Sequence, residues 1–423
     1  MIPRPKGTRD FSVETMGRRN YVERLFRNVC RQYGFGEIRT PTFERTELFT
    51  ARSGPEVVKD MYSFKDKAGR DIALRPEVTA SVFRYFMSEM RNAPKPLKWF
   101  YMANCFRYEE PQKGRYREFY HFGAELIGSK PLYGDAEIVS LAVKCLSSTG
   151  MKRIEMRLGN IGILRGVLDI PREEQTRCLQ LLDKRDLEGL RATLDSLGKG
   201  DLYEPCEGLI GLRGGDEILA EAEGLVSSEE VKDQIEYLRV LAQRLKKYGM
   251  EDFDLDLSVI RGLDYYTGMV FEIDSPDLGA EKQICGGGSY SFAGAIGGAE
   301  IFATGFAIGF DRVLLVLEEQ EIQLPLPTLD VFVVPIGETM RDNALAILRE
   351  LREGGLACDM DLNERGPSKN LDYANVMKAK VAIFVGEDEW SRGSVSVRDM
   401  QSGDQKEVKT EKLAEEISTT LRD

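Results

Sequence analysis

Residues 106–125, FRYEEPQKGRYREFYHFGAE, decide how the rest of the chain is read. Apolar and aromatic residues run through Leu97 to Phe106. A short polar segment follows with Pro111, Gln112, Lys113, Gly114 and Arg115, and a second strand-like run opens at Phe119, Tyr120 and Phe122. This is the pattern of a long antiparallel hairpin with a basic loop at its tip. A period of two in the second strand puts Phe119, His121, Gly123 and Glu125 on one face and Tyr120, Phe122, Ala124 and Leu126 on the other. A histidine and a carboxylate on either side of a glycine suit a pocket floor, with Gly123 leaving room for a ligand. Arg107 offers a planar fork of donors for a carboxylate or phosphate. A solvated hairpin carrying surface charge fits the same pattern equally well.

On the N-terminal side, Val22, Leu25, Phe26, Val29, Cys30 and Tyr33 follow helical spacing, and Gly34 is placed to end the helix. Glu37 to Thr40 reads as a strand stopped by Pro41. Met61–Phe64 and Asp71–Arg75 flank a turn with Asp66 and Gly69, a hairpin leading into Leu74-Arg75-Pro76-Glu77-Val78-Thr79. There the proline holds the entry to a helix, and Glu77 complements its macrodipole. On the C-terminal side, Ile138, Leu141, Ala142, Cys145 and Leu146 make another amphipathic helix. From about Ile161 the composition turns to Leu, Glu, Lys, Arg and Asp in helical periods, the mark of a helical insertion at 161–250. Phe253–Ile260 alternates as a strand that delivers Arg261. Cys285-Gly286-Gly287-Gly288 indicates close approach of backbone to a ligand or another strand, in preference to a flexible loop. Gly305, Ala307 and Gly309 lead into Asp311-Arg312 and an apolar helix. Leu324-Pro325-Leu326-Pro327 is a stiff connector, beyond which strands and helices alternate as in a small α/β domain. The expected class is therefore α/β, with an α+β domain at 1–325 built on an antiparallel sheet flanked by helices and a second domain at 328–423.

Composition narrows the function. The chain of 423 residues is long enough for two or three cores, and 42% hydrophobic with 30% charged residues describes a soluble globular protein. No apolar run is long enough for a bilayer, and MIPRPKGTRDF carries no apolar signal core. The seven cysteines form no CxxC pair, which suits reduced thiols and a cytoplasmic location. His121 is the single histidine, so a histidine-based zinc site is all but excluded and a Ser-His-Asp triad would have to use it. No protein metal site is expected. The net charge of −12 is an average that leaves room for local basic patches.

The 106–125 stretch closely resembles motif 2 of the class II aminoacyl-tRNA synthetases in the form found in the histidyl-tRNA synthetase family. Arg261–Gly268, RGLDYYTG, resembles that family's histidine signature, and Gly305–Arg312, GFAIGFDR, resembles class II motif 3. The three lie in the family's order, and the resemblance runs from Lys6-Gly7-Thr8-Arg9-Asp10 into the C-terminal domain. It implies ATP-dependent charging of tRNA(His) with L-histidine through an adenylate, with Mg2+ on the nucleotide, a homodimer built on motif 1, and a C-terminal domain that reads the anticodon. It further implies Arg107, Arg261 and Arg312 as catalytic cations, and Arg107, Glu109, Arg115 and Arg312 as the ATP contacts. Glu77, Thr79, His121, Glu125, Tyr265 and Tyr266 would form the histidine site. The chain departs from the family at His121, usually glutamine, and at Ser289 and Ser291, usually arginine and aspartate. The first departure predicts that histidine affinity falls toward acid pH as His121 gains charge. The second predicts altered contacts around the amino-acid pocket. The competing readings are a non-catalytic regulatory subunit of ATP phosphoribosyltransferase and a sensor of uncharged tRNA.

Overall fold

The computed structural model describes residues 2–53, 55–112, 114–260, 266–279, 282–291 and 301–421, and for 51–53 and 55–57 the backbone alone. The chain forms two compact units, residues 1–324 and 325–423.

In the first unit, α1 (Val13–Gln32) is capped by the Ser12 hydroxyl, which accepts the Thr15 amide at 3.2 Å. Its buried stripe includes Val22, Phe26 and Val29, and Gly34 follows with φ +76°. Then come β1 (Gly36–Glu37), β2 (Phe43–Arg45), α2 (Glu47–Ser53), β3 (Ser63–Lys65), β4 (Asp71–Leu74) and α3 (Thr79–Tyr85). The hairpin is β5 (Leu97–Phe106) and β6 (Glu118–Ile127), after which α4 (Pro131–Ser147) leads to β7 (Glu155–Asn160). The insertion supplies α5 (Ile161–Val167), α6 (Arg172–Asp183), α7 (Leu187–Ser196), α8 (Tyr203–Gly211), β8 (Arg213–Gly214), α9 (Glu217–Leu225) and α10 (Glu229–Lys247). The sheet is completed by β9 (Asp254–Asp256), β10 (Tyr266–Asp274), β11 (Gln283–Ser291) and β12 (Phe302–Gly309), and α11 (Phe310–Glu319) closes the unit.

The main sheet runs β1-β5-β6-β12-β11-β10-β7-β9-β8, antiparallel except where β1 meets β5 and β7 meets β9. Alternation gives this sheet two unlike faces. One face carries Phe100, Phe122, Ala124 and Leu126 into a large apolar core shared with α1 and α4. Phe26 meets Phe122 edge-on at 5.0 Å there. The other face carries the site. Gly305, Ala307 and Gly309 of β12 pair with Glu125, Gly123 and His121 of β6, and Gly288 and Gly286 of β11 pair with Gly305 and Ala307. Six small residues side by side thus clear a floor in the middle of the sheet. The stretch 305–309, expected as the approach to a helix, is strand to its last residue. With almost no large side chains on that face, it gives no hydrophobic alternation to read.

The second unit is built on a mixed sheet of five strands. Its elements in chain order are β13 (Val331–Pro335), α12 (Arg341–Glu353), β14 (Cys358–Met360), α13 (Pro367–Val376), β15 (Val381–Val385), α14 (Glu387–Ser391), β16 (Ser394–Asp399), β17 (Gln405–Lys409) and α15 (Leu413–Thr420). Among the described residues, no helix is long and apolar enough to cross a membrane.

Candidate active site

A cavity of about 510 Å³ opens on the cleared floor, within the range of small-molecule sites. It brings together Glu77, Thr79, Arg107, Glu109, Arg115, His121, Glu125, Tyr266 and Arg312, residues drawn from separate parts of the sequence. Arg261 and Tyr265 lie outside the described residues, as does Lys113 at the hairpin tip.

At one end is a buried carboxylate. Glu125 is 1% exposed, and each of its oxygens is held by a hydroxyl. Thr79 Oγ1 donates to Oε1 at 2.8 Å, and Tyr290 Oη donates to Oε2 in a short bond. Gly305, opposite Glu125, is required by this arrangement, because a Cβ there would run into the carboxylate. Gly288 is constrained likewise, since its Cβ would lie 2.8 Å from the Tyr266 ring. The triple glycine therefore admits neighbouring side chains and strands that lie flat on the sheet. Gly123 behaves differently from the expectation. Its open space is already filled by the Tyr101 hydroxyl, so it makes room for a protein group and not for a ligand. Burial, aided by the carboxylates of Glu125 and Glu77, holds the Tyr101 phenol well above its ordinary pKa, so it stays protonated. Glu77 caps α3: both its oxygens lie within reach of the Ala80 amide, at 3.0 and 3.3 Å. Capping and lining the cavity are compatible here.

At the other end are the cations. The hairpin closes by a reciprocal pair between Gln112 and Arg115, at 3.0 and 2.9 Å, and Gly114 takes φ +77° in the turn. Arg107 Nε donates to the Pro76 carbonyl at 3.1 Å, and its guanidinium lies 5.1 Å from the centre of the Phe119 ring. Arg115 Nε is 2.6 Å from Glu109 Oε2. Arg312 reaches across from α11, donating from Nε to the Gly114 carbonyl at 3.2 Å and from Nη1 to the Gln283 carbonyl at 2.6 Å. Arg312 is thereby tied to the hairpin tip. Gln283 in turn donates to Glu272 at 3.0 Å, and Glu272 pairs with Arg157 at 2.5 Å. Among the described residues no cluster of three or more His, Cys, Asp or Glu is arranged to hold a metal ion.

His121 stands between the two ends, edge-on to Phe119 at 5.0 Å between ring centres. Burial first, and then the charges of Arg107 and Arg312, push its pKa down to about 3. The imidazole is therefore neutral throughout the working range, and the expected loss of histidine affinity through its protonation is overturned. Both arginines and His121 line the same cavity. Ser289 is likewise corrected. It lies on the reverse face, paired with Thr304, and is 3% exposed. Together with Thr304 and Tyr237 it surrounds the buried Asp135 of α4, away from the cavity.

Sequence reasoning missed Tyr290, Tyr101, Gln283, Glu272 and Asp311 at the cavity, and Arg9 and Arg19 behind it. Only the glycines beside Tyr290 signalled that β11 runs along a site.

The model of a family described as histidyl-tRNA synthetase matches residues 7–313, and an anticodon binding domain model matches 330–420. Curated relatives named histidine–tRNA ligase include one from Archaeoglobus fulgidus, 41% identical over 97% of this chain and 98% of its own. Another, from Methanocorpusculum labreanum, is 42% identical over the full length of both. Among solved structures, a histidyl-tRNA synthetase from Nostoc sp. PCC 7120 superposes with a TM-score of 0.83 at 23% identity, covering 99% of each chain, which supports the fold. The apo enzyme from S. aureus superposes at 0.73 with 27% identity over 99% of this chain and 100% of that one.

Proposed function

Since the chain belongs to the histidyl-tRNA synthetase family, we propose that the cavity is where it activates histidine with ATP and passes it to tRNA. The enzyme is a class II histidine–tRNA ligase, and the observation that carries this use of the cavity is its polarity. A buried carboxylate held by two hydroxyls lies at one end and guanidinium groups at the other, on a floor of small residues.

The reaction has two steps. The histidine carboxylate attacks the α-phosphorus of ATP and expels pyrophosphate. A ribose hydroxyl at the tRNA terminus then displaces AMP from the histidyl adenylate. Both steps spread negative charge over phosphate oxygens, so fixed cations contribute more than a strong base. Arg107 holds the α-phosphate and orients the carboxylate, with Glu109 and Arg115 beside it, and Arg312 holds the γ-phosphate. Arg261 is assigned to the α-phosphate by its motif alone. Glu77 and Thr79 receive the α-ammonium. Glu125 accepts an imidazole N–H, with Tyr265 and Tyr266 and the neutral His121 shaping the rest. A buried acceptor of this kind rejects analogues that lack the N–H, because they bury the carboxylate without bringing a donor to it.

Mg2+ fits this site as a passenger of the triphosphate, since it is usually bound through one or two carboxylates plus phosphates and water. Glu109 and Glu272 are cavity carboxylates at the arginine end that could meet it, whereas Asp311 there is already engaged by Arg9 and Arg19. When bound, it would neutralise charge on the triphosphate. Phe43 and Phe64, 56% and 49% exposed on the small β2-β4-β3 sheet, are candidates for the homodimer surface that motif 1 implies. A cytoplasmic location and the domain limits 1–325 and 328–423 belong to the same proposal. The regulatory-subunit alternative is less well supported, because curated relatives spanning the full chain are named as ligases and an anticodon binding domain is matched.

The test is amino-acid-dependent ATP–pyrophosphate exchange across the twenty amino acids. Histidine alone should support exchange. Exchange with none of them, while histidine still binds, would favour the non-catalytic reading.

A further inference from the structure

Ahead of α1, the N-terminal segment crosses the base of the hairpin. The Gly7 carbonyl accepts the Arg117 amide at 2.9 Å, and a Cβ at Gly7, with φ +80°, would sit 2.6 Å from the Arg117 side chain. The segment is therefore seated closely on the hairpin, and it delivers Arg9. The Arg9 guanidinium lies 3.4 Å from the centre of the Tyr116 ring, close enough for face-on stacking, while its Nη2 is 2.7 Å from Asp311 Oδ1. Asp311 is 4% exposed, and the same oxygen takes Arg19 Nη1 at 2.6 Å. Its other oxygen accepts the Tyr120 amide at 2.8 Å.

The charge balance is informative. Arg19, itself buried, already neutralises Asp311, so Arg9 is not needed to compensate the acid. What Arg9 adds is a bridge from Tyr116, next to the hairpin tip, to Asp311, the residue preceding Arg312. Tyr116, Asp311 and Arg312 all line the cavity, whereas Arg9 does not. We infer that Arg9 is a positioning residue for the nucleotide: it fixes the hairpin tip against the start of α11, so that Arg115 and Arg312 face one triphosphate. This rests on the proposed use of the cavity for ATP. The histidine end, built on Glu125, lies outside the bridge.

The experiment compares full-length wild type with Arg9→Met, Arg9→Lys and Tyr116→Ala in histidine-dependent pyrophosphate exchange. Arg9→Met should raise KM for ATP about tenfold, the scale of one desolvated cation–π contact, and leave KM for histidine within about twofold. Arg9→Lys should recover only part of the loss, because an ammonium cannot stack as a plane. Tyr116→Ala should match Arg9→Met, and the double variant should be no worse than either single one. An unchanged KM for ATP, equal rises for both substrates, or fully additive losses would overturn the inference. If wild type gives no exchange, the functional reading fails separately. The bridge is then judged by calorimetric ATP affinity, where equal values for wild type and Arg9→Met overturn it.

Discussion

Replacing Asp135 with asparagine should stabilise the first unit, increasingly so as pH rises. Asp135 sits on α4 with no exposed surface, its Oδ2 accepting from Tyr237 Oη of α10 at 2.7 Å. Its Oδ1 has no partner in hydrogen-bonding geometry, although the Ser289 and Thr304 hydroxyls are close enough to act on its charge. Burial raises its pKa from 3.8 to about 7, against the opposing pull of those three hydroxyls. Between these two values the folded chain keeps a proton that the unfolded chain has lost, so stability falls as pH rises through the window. At about 1.4 kcal/mol per pKa unit, burying this acid costs roughly 2 kcal/mol at pH 5, where the folded chain must hold its proton, and about 4 kcal/mol at pH 8, where it must bury the charge. The amide introduced by Asp135→Asn carries no such charge, so the advantage of this variant over wild type should grow by about 2 kcal/mol over that range. Trp99 and Trp390 are the two tryptophans, one in each unit, and a Trp390→Phe background makes Trp99 the reporter for the first. Urea unfolding followed by its fluorescence at several pH values measures the gap. A gap that stays constant, or widens toward acid, would refute the argument.

Tyr290→Phe removes one of the two hydroxyl donors to Glu125, a hydrogen bond to a charged group worth roughly 1.5–3 kcal/mol. Steady-state kinetics should show kcat/KM for histidine falling about ten- to hundredfold, with KM for ATP nearly unchanged. His121→Gln should leave the pH dependence of histidine binding unaltered, because an imidazole held near pKa 3 is neutral from about pH 5 to 8. Parallel titrations of the two proteins that diverge toward acid would contradict this. Arg75→Met should lower the melting temperature sharply. The buried Arg75 guanidinium donates to the carbonyls of Thr40, Pro41 and Asn104 at 3.0, 3.2 and 2.7 Å, and stranding those acceptors costs on the order of 3 kcal/mol or more.

The hairpin was legible because alternation, a polar tip and Gly114 all agree locally, and the pairing of Leu97 with Ile127 through Phe106 with Glu118 follows from them. What stayed hidden depends on partners far apart in sequence. Tyr290 and Glu125 are 165 residues apart, and nothing near either one announces the other. The misreading of Gly123 has the same origin: sequence says that a glycine makes room, and only the cross-strand partner Tyr101 says for what. His121 was misjudged because its charge is set by burial and by Arg107 and Arg312, one near and one distant along the chain. Ser289 was misplaced because a glycine run conceals which face each residue takes.

These observations bear on how the proposed site would tell histidine from other amino acids. A carboxylate offers about four lone-pair positions, and in Glu125 the Thr79 and Tyr290 hydroxyls occupy one on each oxygen. The two hydroxyls fix its plane, and the glycine opposite, Gly305, lets it lie where a Cβ would collide. The carboxylate is thereby presented in one direction to whatever occupies the cavity. An imidazole N–H brings it a further donor, whereas an apolar side chain of the same size shuts a charge away from water without one, a penalty far larger than a lost methylene contact. Discrimination would thus rest less on the cavity's shape than on how firmly Thr79, Tyr290 and Gly305 hold one carboxylate, and those three come from α3, β11 and β12.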